Sequence, residues 1–446
     1  MSDKNIESNT PPDAQEVFSL LSDLSGALLK WSEEGISGME ETIVGVGEAY
    51  GYKDITVLFS PQSVLLSMSR QVTLLRAELP GLPELSRVTA LRHWHNDILA
   101  GKLSVAAART RLQQILTAPS LYATPLVILG VMLFSAALAF DFVGTWEGVI
   151  VGALTGILGA LCFVGGKNIR DYLKIMPLVA SLLVSFCVIG AWKLGWLTGS
   201  PGLLLIPGIF LFIPGDTITV QALELAEGHW DAAVDRLAYS VGVFILLIFG
   251  VLISATVLGV PFSALVPTAT DSIFPWWVIY PSYVVVTIGM MLVLQMRRAD
   301  LLLAIMTIII TTLVAQIVTS LASNELAGTF AGAMAMTLVA KIIAINPQRS
   351  PAYVFMVIPF FTLTPGTHGL SGLEGVISGQ SVSGVTDLSS LVTNLLALSL
   401  GIFIASMIWR QFQPLQPTNQ AASRYGKQQK VAAADASDTD LKGDPK

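Results

Sequence analysis

The sequence predicts a polytopic α-helical membrane protein, with ten spans arranged as two inverted five-span repeats behind an N-terminal cytoplasmic α/β domain. Three observations lead there. The first is composition: 53% of the 446 residues are hydrophobic and only 13% charged, against about 25% charged in a soluble domain. The second is segregation, because the charges crowd into residues 1–118 and 410–446 and leave a long stretch nearly free of them. That stretch holds repeated apolar windows of about 20 residues, the length that crosses about 30 Å of hydrocarbon. The third is a proline motif that occurs twice: LIPGIFLFIPG at Leu205–Gly215 and VIPFFTLTPG at Val357–Gly366.

Residues 1–13 are polar and proline-bearing and are expected to be disordered. No cleavable signal or lipidation motif is legible at the N-terminus. The cytoplasmic domain is placed at residues 14–118. Val17, Leu20, Leu21, Leu24, Leu28 and Trp31 draw one helical face. A second helix is expected over Gly38–Tyr50, with Ser37 as N-cap and Gly51 just past its end. Alternation then marks three short strands at Ile55–Phe59, Val64–Met68 and Val72–Leu74, with Pro61 and Gln62 turning the chain between the first two. Helices follow at Glu84–Leu99 and Val105–Leu116, separated by Gly101 and capped by Ser104.

The spans are predicted at 121–140, 146–165, 175–193, 202–214 and 237–260 in the first half (119–260). In the second half (261–410) they fall at 275–295, 301–322, 326–346, 352–366 and 388–409. The fourth and ninth are short and interrupted by proline. The tail, 411–446, has a disorder composition and is placed in the cytoplasm. Lys and Arg counts orient the bundle. The even-numbered loops and their flanks hold Lys167, Arg170, Lys174, Arg236, Arg297, Arg298, Lys341 and Arg349, and the odd-numbered ones only Lys193. The excess puts both termini in the cytoplasm, in a protein of the inner (plasma) membrane.

Pro207 and Pro214 match Pro359 and Pro365 at offsets of 152 and 151. The same offset carries the first span onto the sixth and the fifth onto the tenth. Each repeat then has five spans, and an odd number inverts the second relative to the first. Interrupted helices in such repeats meet near the midplane and build the transport site of many secondary transporters.

The candidate residues cluster at the interruptions. Pro207, Pro214 and Gly215 break the fourth span, and Asp216, Thr217, Thr219, Gln221 and Glu224 follow. Pro359, Pro365 and Gly366 break the ninth, and Thr367, His368 and Glu374 follow. Proline frees backbone carbonyls for a ligand, and an ionisable group beside a broken span is a functional candidate because charge near the membrane core is costly. Lys341 is expected to snorkel to the cytoplasmic surface. Gly148, Gly152 and Gly156, and likewise Gly328 and Gly332, are read as helix-packing stripes, and Cys162 and Cys187 as packing residues within spans. His93 and His95, two apart on a helix, point to opposite faces and make no metal pair. Gly45–Gly51 does not fit a dinucleotide fingerprint, and there is no Walker A, HExxH or GxSxG sequence. No cofactor, no metal and no enzymatic activity is expected, and the net charge of −6 gives no reason for a nucleic-acid partner. The oligomeric state is left open.

The chain resembles the threonine/serine exporter family from about Gln15 to Trp409. The resemblance is carried by GMEETIVGVGEAYGY, ITVLFSP and SVLLSMS, by RVTALRHWHNDILAGKLSVAAARTRLQQI (Arg87–Ile115), and by IPGIFLFIPGDTITVQALELAEGH (Ile206–His229). It implies export of L-threonine and L-serine driven by the proton gradient. Asp216 would then carry the proton or pair with the substrate ammonium, and Thr217, Thr219 and Thr367 would meet its hydroxyl. Where the family often writes Asn-x-x-x-Asp, this chain has Asp216-Thr-Ile-Thr219. Export of another small metabolite is one alternative, and a channel or sensory protein gated by ligand binding to the cytoplasmic domain is another. A peptide-hydrolase reading of the soluble domain finds no nucleophile and base among Ser37, Ser60, Ser67, His93 and His95.

Overall fold

The computed structural model describes residues 12–31, 35–76, 83–166, 172–265, 272–363 and 381–412. The N-terminal region has the expected α/β elements, with two corrections at the start of its second helix. Helix α1 (Ala14–Trp31) buries Val17, Leu20, Leu21, Leu24 and Leu28, the face its spacing marked out. Helix α2 runs Ile36–Ala49, so it begins before the predicted Gly38, and its N-cap is Gly35 instead of Ser37. Gly51 follows at φ 93°, a conformation that suits glycine.

Among the described residues the sheet is a three-stranded antiparallel meander of β1 (Ile55–Ser60), β2 (Ser63–Met68) and β3 (Gln71–Arg76). Its pairing sets Leu58 opposite Leu65 and Leu65 opposite Leu74. Because side chains alternate, Val64, Leu66 and Met68 of β2 face the core and are buried. Helix α3 (Leu85–Leu99) and helix α4 (Val105–Thr117) close the domain, and the Ser104 side chain accepts from Ala107 N at the start of α4. The predicted split of the His-Trp-His triplet is seen: Trp94 is fully buried, with Nε1 donating to Ala108 O, while His93 reaches Gln348 O.

His95 lies inward beside Gly45, and its Nε2 has no hydrogen-bond partner among the described residues. Burial, aided by the nearby Arg92 guanidinium, pushes this imidazole down to about 4. The folded state therefore holds a neutral ring, whereas the unfolded chain takes up a proton below about 6.5. Stability is present above that pH and is lost as the pH falls toward 4, by on the order of 2 kcal/mol. Thermal melts of the full chain in detergent should show this acid sensitivity, and His95→Gln should blunt it. Equal acid sensitivity in the two proteins would remove His95 as its source.

The membrane part begins with α5 (Thr124–Phe142), α6 (Trp146–Gly165) and α7 (Tyr172–Lys193). After a broken segment it resumes with α10 (Trp230–Leu258), then α11 (Ile279–Val293), α12 (Leu301–Ala322) and α13 (Glu325–Ala344). Helix α14 (Ala352–Leu363) is short, and α15 spans Ser381–Phe412. The broken segment is α8 (Pro201–Ile209) and α9 (Gly215–Glu227), bent by 69°. Among the described residues eight helices are long and apolar enough to cross a membrane, nine if the bent pair is one span, and α14 is a shorter apolar helix. The helix expected at 202–214 is thus followed across a 69° bend by α9, and the helix expected at 237–260 begins at Trp230.

The glycine stripes do the predicted packing. A β-carbon at Gly152 would lie 2.8 Å from Ser135 O on α5, and one at Gly328 2.7 Å from Ala315 O on α12. Cys162 and Cys187 are both free. Lys341 sits half-buried in the last turn of α13.

Contacts in the two stretches of the bundle correspond. A β-carbon at Gly250 of α10 would strike Ser181, Leu182 N and Leu178 O of α7. One at Gly401 of α15 would strike Ala333, Met334 N and Phe330 O of α13. The three α13 residues each stand 152 positions after their α7 counterparts, and Gly401 stands 151 after Gly250. Thr155 Oγ1 donates to Val151 O at 2.7 Å, and 152 positions on Thr307 Oγ1 donates to Leu303 O at 2.7 Å.

The soluble domain is stitched to the bundle. The first amides of α3, Leu85 and Ser86, donate to Leu294 O and Gln295 O at the end of α11 (2.9 and 3.1 Å). One helix's orphan donors thereby satisfy another's orphan carbonyls. Tyr122, in the connection to α5, donates its backbone N–H to Gln295 Oε1 and its hydroxyl to Met296 O. Leu85 belongs to the bundle's core, and Ala232 of α10 belongs to that of the soluble domain.

Candidate functional site

The first interruption is built by two prolines. Pro201 opens α8, and Pro207 within it has no N–H to give the ladder. A single 3-10 turn, Phe210–Phe212, ends the helix. Ile213 is extended (φ −68°, ψ 126°), as a residue before proline tends to be. Pro214 then serves as N-cap of α9, and Gly215 N donates to Ile213 O at 2.7 Å across the corner. On the other side Pro359 lies within α14.

The bent segment and α14 meet in the core of the bundle. Phe361 of α14 lies 6.2 Å, centroid to centroid, from Phe210, and both rings lie about as far from Phe134 of α5 (6.0 and 6.1 Å). These spacings suit tilted and edge-on aromatic packing. Gly215 sits against this cluster, where a β-carbon would come within 2.6 Å of Phe361 Cε1. Helix α9 therefore opens, with the positive end of its dipole, at the point where the bent segment and α14 touch.

The polar residues predicted from sequence follow along α9. Asp216 is its second residue. Thr217, Thr219 and Gln221 are all buried. The Thr219 hydroxyl is engaged with Gly215 O at 2.7 Å. Gln221 Oε1 is buried with no hydrogen-bond partner among the described residues, a state that costs about 1–3 kcal/mol unless something supplies a donor. Glu224 is fully buried, and its Oε1 accepts from Ile36 N of α2 in the N-terminal α/β region at 3.0 Å. Pro365, Gly366, Thr367, His368 and Glu374 lie outside the described residues. Among the described residues no group of three His, Cys, Asp or Glu side chains is placed to hold a metal ion.

Sequence reasoning passed over the aromatic cluster, although Phe210 and Phe361 occupy nearby places in the two proline motifs. It also missed the polar links to the soluble domain. Ser37 Oγ and His229 Nε2 lie 2.8 Å apart, and Thr89 Oγ1 and Ser350 Oγ lie 2.8 Å apart. Nothing in the local pattern of either partner announces such a pairing.

Apolar helices of this length, together with a bent helix pair that meets α14 in the core, define a polytopic membrane protein of transporter type. The family model described as "Putative threonine/serine exporter" (ThrE) matches residues 23–258, more than half of the sequence. The chain belongs to this family. A pheromone-regulated membrane protein 10 from Kluyveromyces lactis is 27% identical over 224 residues, covering 48% of this chain. The chain spans about a quarter of that relative's length, 23% of it being matched. No solved structure matches the chain.

Proposed function

We propose that the protein is a secondary transporter that exports small hydroxy amino acids, L-threonine and L-serine, in exchange for protons, and that it works without enzymatic chemistry. The meeting of the two proline-bearing elements at Phe210 and Phe361, with the start of α9 opening onto it, carries this reading. A zwitterion asks for a positive helix end near its carboxylate and an acceptor for its ammonium. The first turn of α9 supplies the former. Asp216 is assigned the ammonium or the coupling proton, and Gln221 offers an unclaimed carbonyl oxygen. Thr217 and, from the second interruption, Thr367 are assigned to the substrate hydroxyl, with His368 and Glu374 beside the same path.

The architecture proposed is ten spans in two inverted fives, with α14 counted as the ninth. The matching Gly250 and Gly401 contacts support it. The inner membrane is the proposed location, with both termini and the soluble domain in the cytoplasm. The soluble domain's attachment to residues 294–296 and 344–350, beside Arg297, Arg298 and Arg349, supports that orientation.

Counterflow in proteoliposomes tests the reading. Vesicles loaded with threonine or serine should accumulate labelled threonine, faster with an imposed pH gradient, and Asp216→Asn should abolish the effect of the gradient. Exchange that ignores the gradient would remove proton coupling. Exchange of other metabolites alone would move the substrate elsewhere, and normal efflux from Asp216→Asn would remove that residue from the mechanism.

A further inference from the structure

The N-terminal domain holds both the bent segment and α14, and it holds each by an end. At α9 the contact is Glu224. Helix α2 has no side-chain N-cap of its own, since its capping position is Gly35 at φ 86°. The Glu224 carboxylate takes over the cap from 188 residues away, accepting from Ile36 N at 3.0 Å. A charged acceptor at a helix N-terminus is favourable there. Close by, Ser37 Oγ meets His229 Nε2 just past the end of α9. At α14 the contact is Ser350, the residue before Pro351. Its hydroxyl donates to Asp300 Oδ2 at 2.7 Å, lies 2.8 Å from Thr89 Oγ1 of α3, and accepts from Arg297 Nη2 at 3.2 Å. Thr89, Asp300 and Ser350 are all buried. Arg92 Nη2 and Asn96 Nδ2 extend the grip by donating to Ala344 O and Pro347 O. Helices α2 and α3 pack against each other, so the two grips belong to one body.

We infer that the soluble domain is a clamp that fixes the outgoing end of α9 and the incoming end of α14. Glu224 and Ser350 are positioning residues whose bonds to α2 and α3 must part before the site opens on that side. This rests on the reading that the meeting point of the bent segment and α14 is the transport site. In the clamped state Glu224 is a structural acceptor and carries no substrate.

The test uses the full chain with Cys162 and Cys187 replaced by alanine. In one arm Gln221→Cys reports access to the site through its labelling by a membrane-impermeant maleimide from the soluble-domain side. Glu224→Ala should speed labelling by about tenfold, the effect of losing a hydrogen bond to a charged group. Glu224→Gln should stay near the parent, because its amide oxygen still accepts from Ile36 N. In the second arm Thr89→Cys and Ser350→Cys are oxidised to a disulfide in a chain that keeps Gln221. Threonine counterflow should stop and return on reduction, and in the same pair built with Gln221→Cys and oxidised before labelling, the label should be excluded. Equal labelling of Glu224→Ala and the parent, or unchanged counterflow in the oxidised chain, would overturn the clamp. If Glu224→Ala does not elute as a single species, the disulfide arm decides alone. Absence of counterflow in every reduced chain, with the labelling pattern as expected, would reject the transport reading and leave the clamp standing.

Discussion

A Gly215→Leu chain is expected to lose counterflow by about a hundredfold or more, the scale of effect that follows an ångström of misplacement at a working site. The β-carbon alone would stand 2.6 Å from Phe361 Cε1 and 3.1 Å from its Cδ1 and Cζ. The ring has little room to retreat, because Phe134 and Phe210 pack against it at 6.0 and 6.2 Å. Overpacking of this kind costs about 1–3 kcal/mol and pushes α9 off α14. Phe361→Ala alone would cost about 3–5 kcal/mol through the void it leaves. The double variant restores volume by filling one with the other. It should therefore be more stable than the sum of the two single effects by about 1 kcal/mol or more. Thermal melts in detergent measure that difference, and strict additivity would mean that the two residues do not meet.

The second large effect is expected at Arg87. Its Nη1 and Nη2 donate to Leu116 O and Ala118 O at 2.8 and 2.7 Å, and its Nε lies 2.7 Å from Glu84 Oε2. The guanidinium also stands 5.0 Å from the Trp31 ring centroid. One side chain thus ties α1, α3 and the C-terminal end of α4 together beside the connection into the bundle. Arg87→Ala strands two carbonyls and a mostly buried carboxylate, and should cost about 3 kcal/mol. Arg87→Lys keeps the charge but not the fork, so it should fall between alanine and the parent. A lysine variant as stable as the parent would show that charge alone matters there. Trypsin cleavage at Arg109 and Arg111 of α4 should rise in the same order.

Much of the fold was legible because it is periodic. The helical spacing of Val17 to Leu28 and the alternation in β1 to β3 report burial directly. Hydropathy located the long helices for the same reason, since in lipid a span must satisfy its own backbone. The interruption was legible too, because proline acts on its neighbours within a few residues. Ser37 shows where this kind of reading stops. Local pattern made it the cap of α2, yet its hydroxyl goes to His229, and the cap comes from Glu224. Those partners are 192 and 188 residues away, and no local signal encodes a distant acceptor. Glu224 was named as an ionisable group beside a broken span, and its partner Ile36 N was illegible for the matching reason. At the site itself, the prolines and the polar run after them could be named from sequence. The Phe134, Phe210 and Phe361 cluster could not, since a phenylalanine in an apolar span looks like any other lipid-soluble residue.

Gly130 and Gly289 bear on how the bundle can deform. A β-carbon on either would lie 2.7 Å from the other's carbonyl oxygen, so α5 and α11 touch main chain to main chain, with no side chain between them to bend or change rotamer. Such a crossing behaves as a fulcrum. If one helix tilts against the other about that point, its two arms move in opposite senses. Widening the gap between α5 and α11 on one side of the crossing then narrows it on the other, by geometry alone.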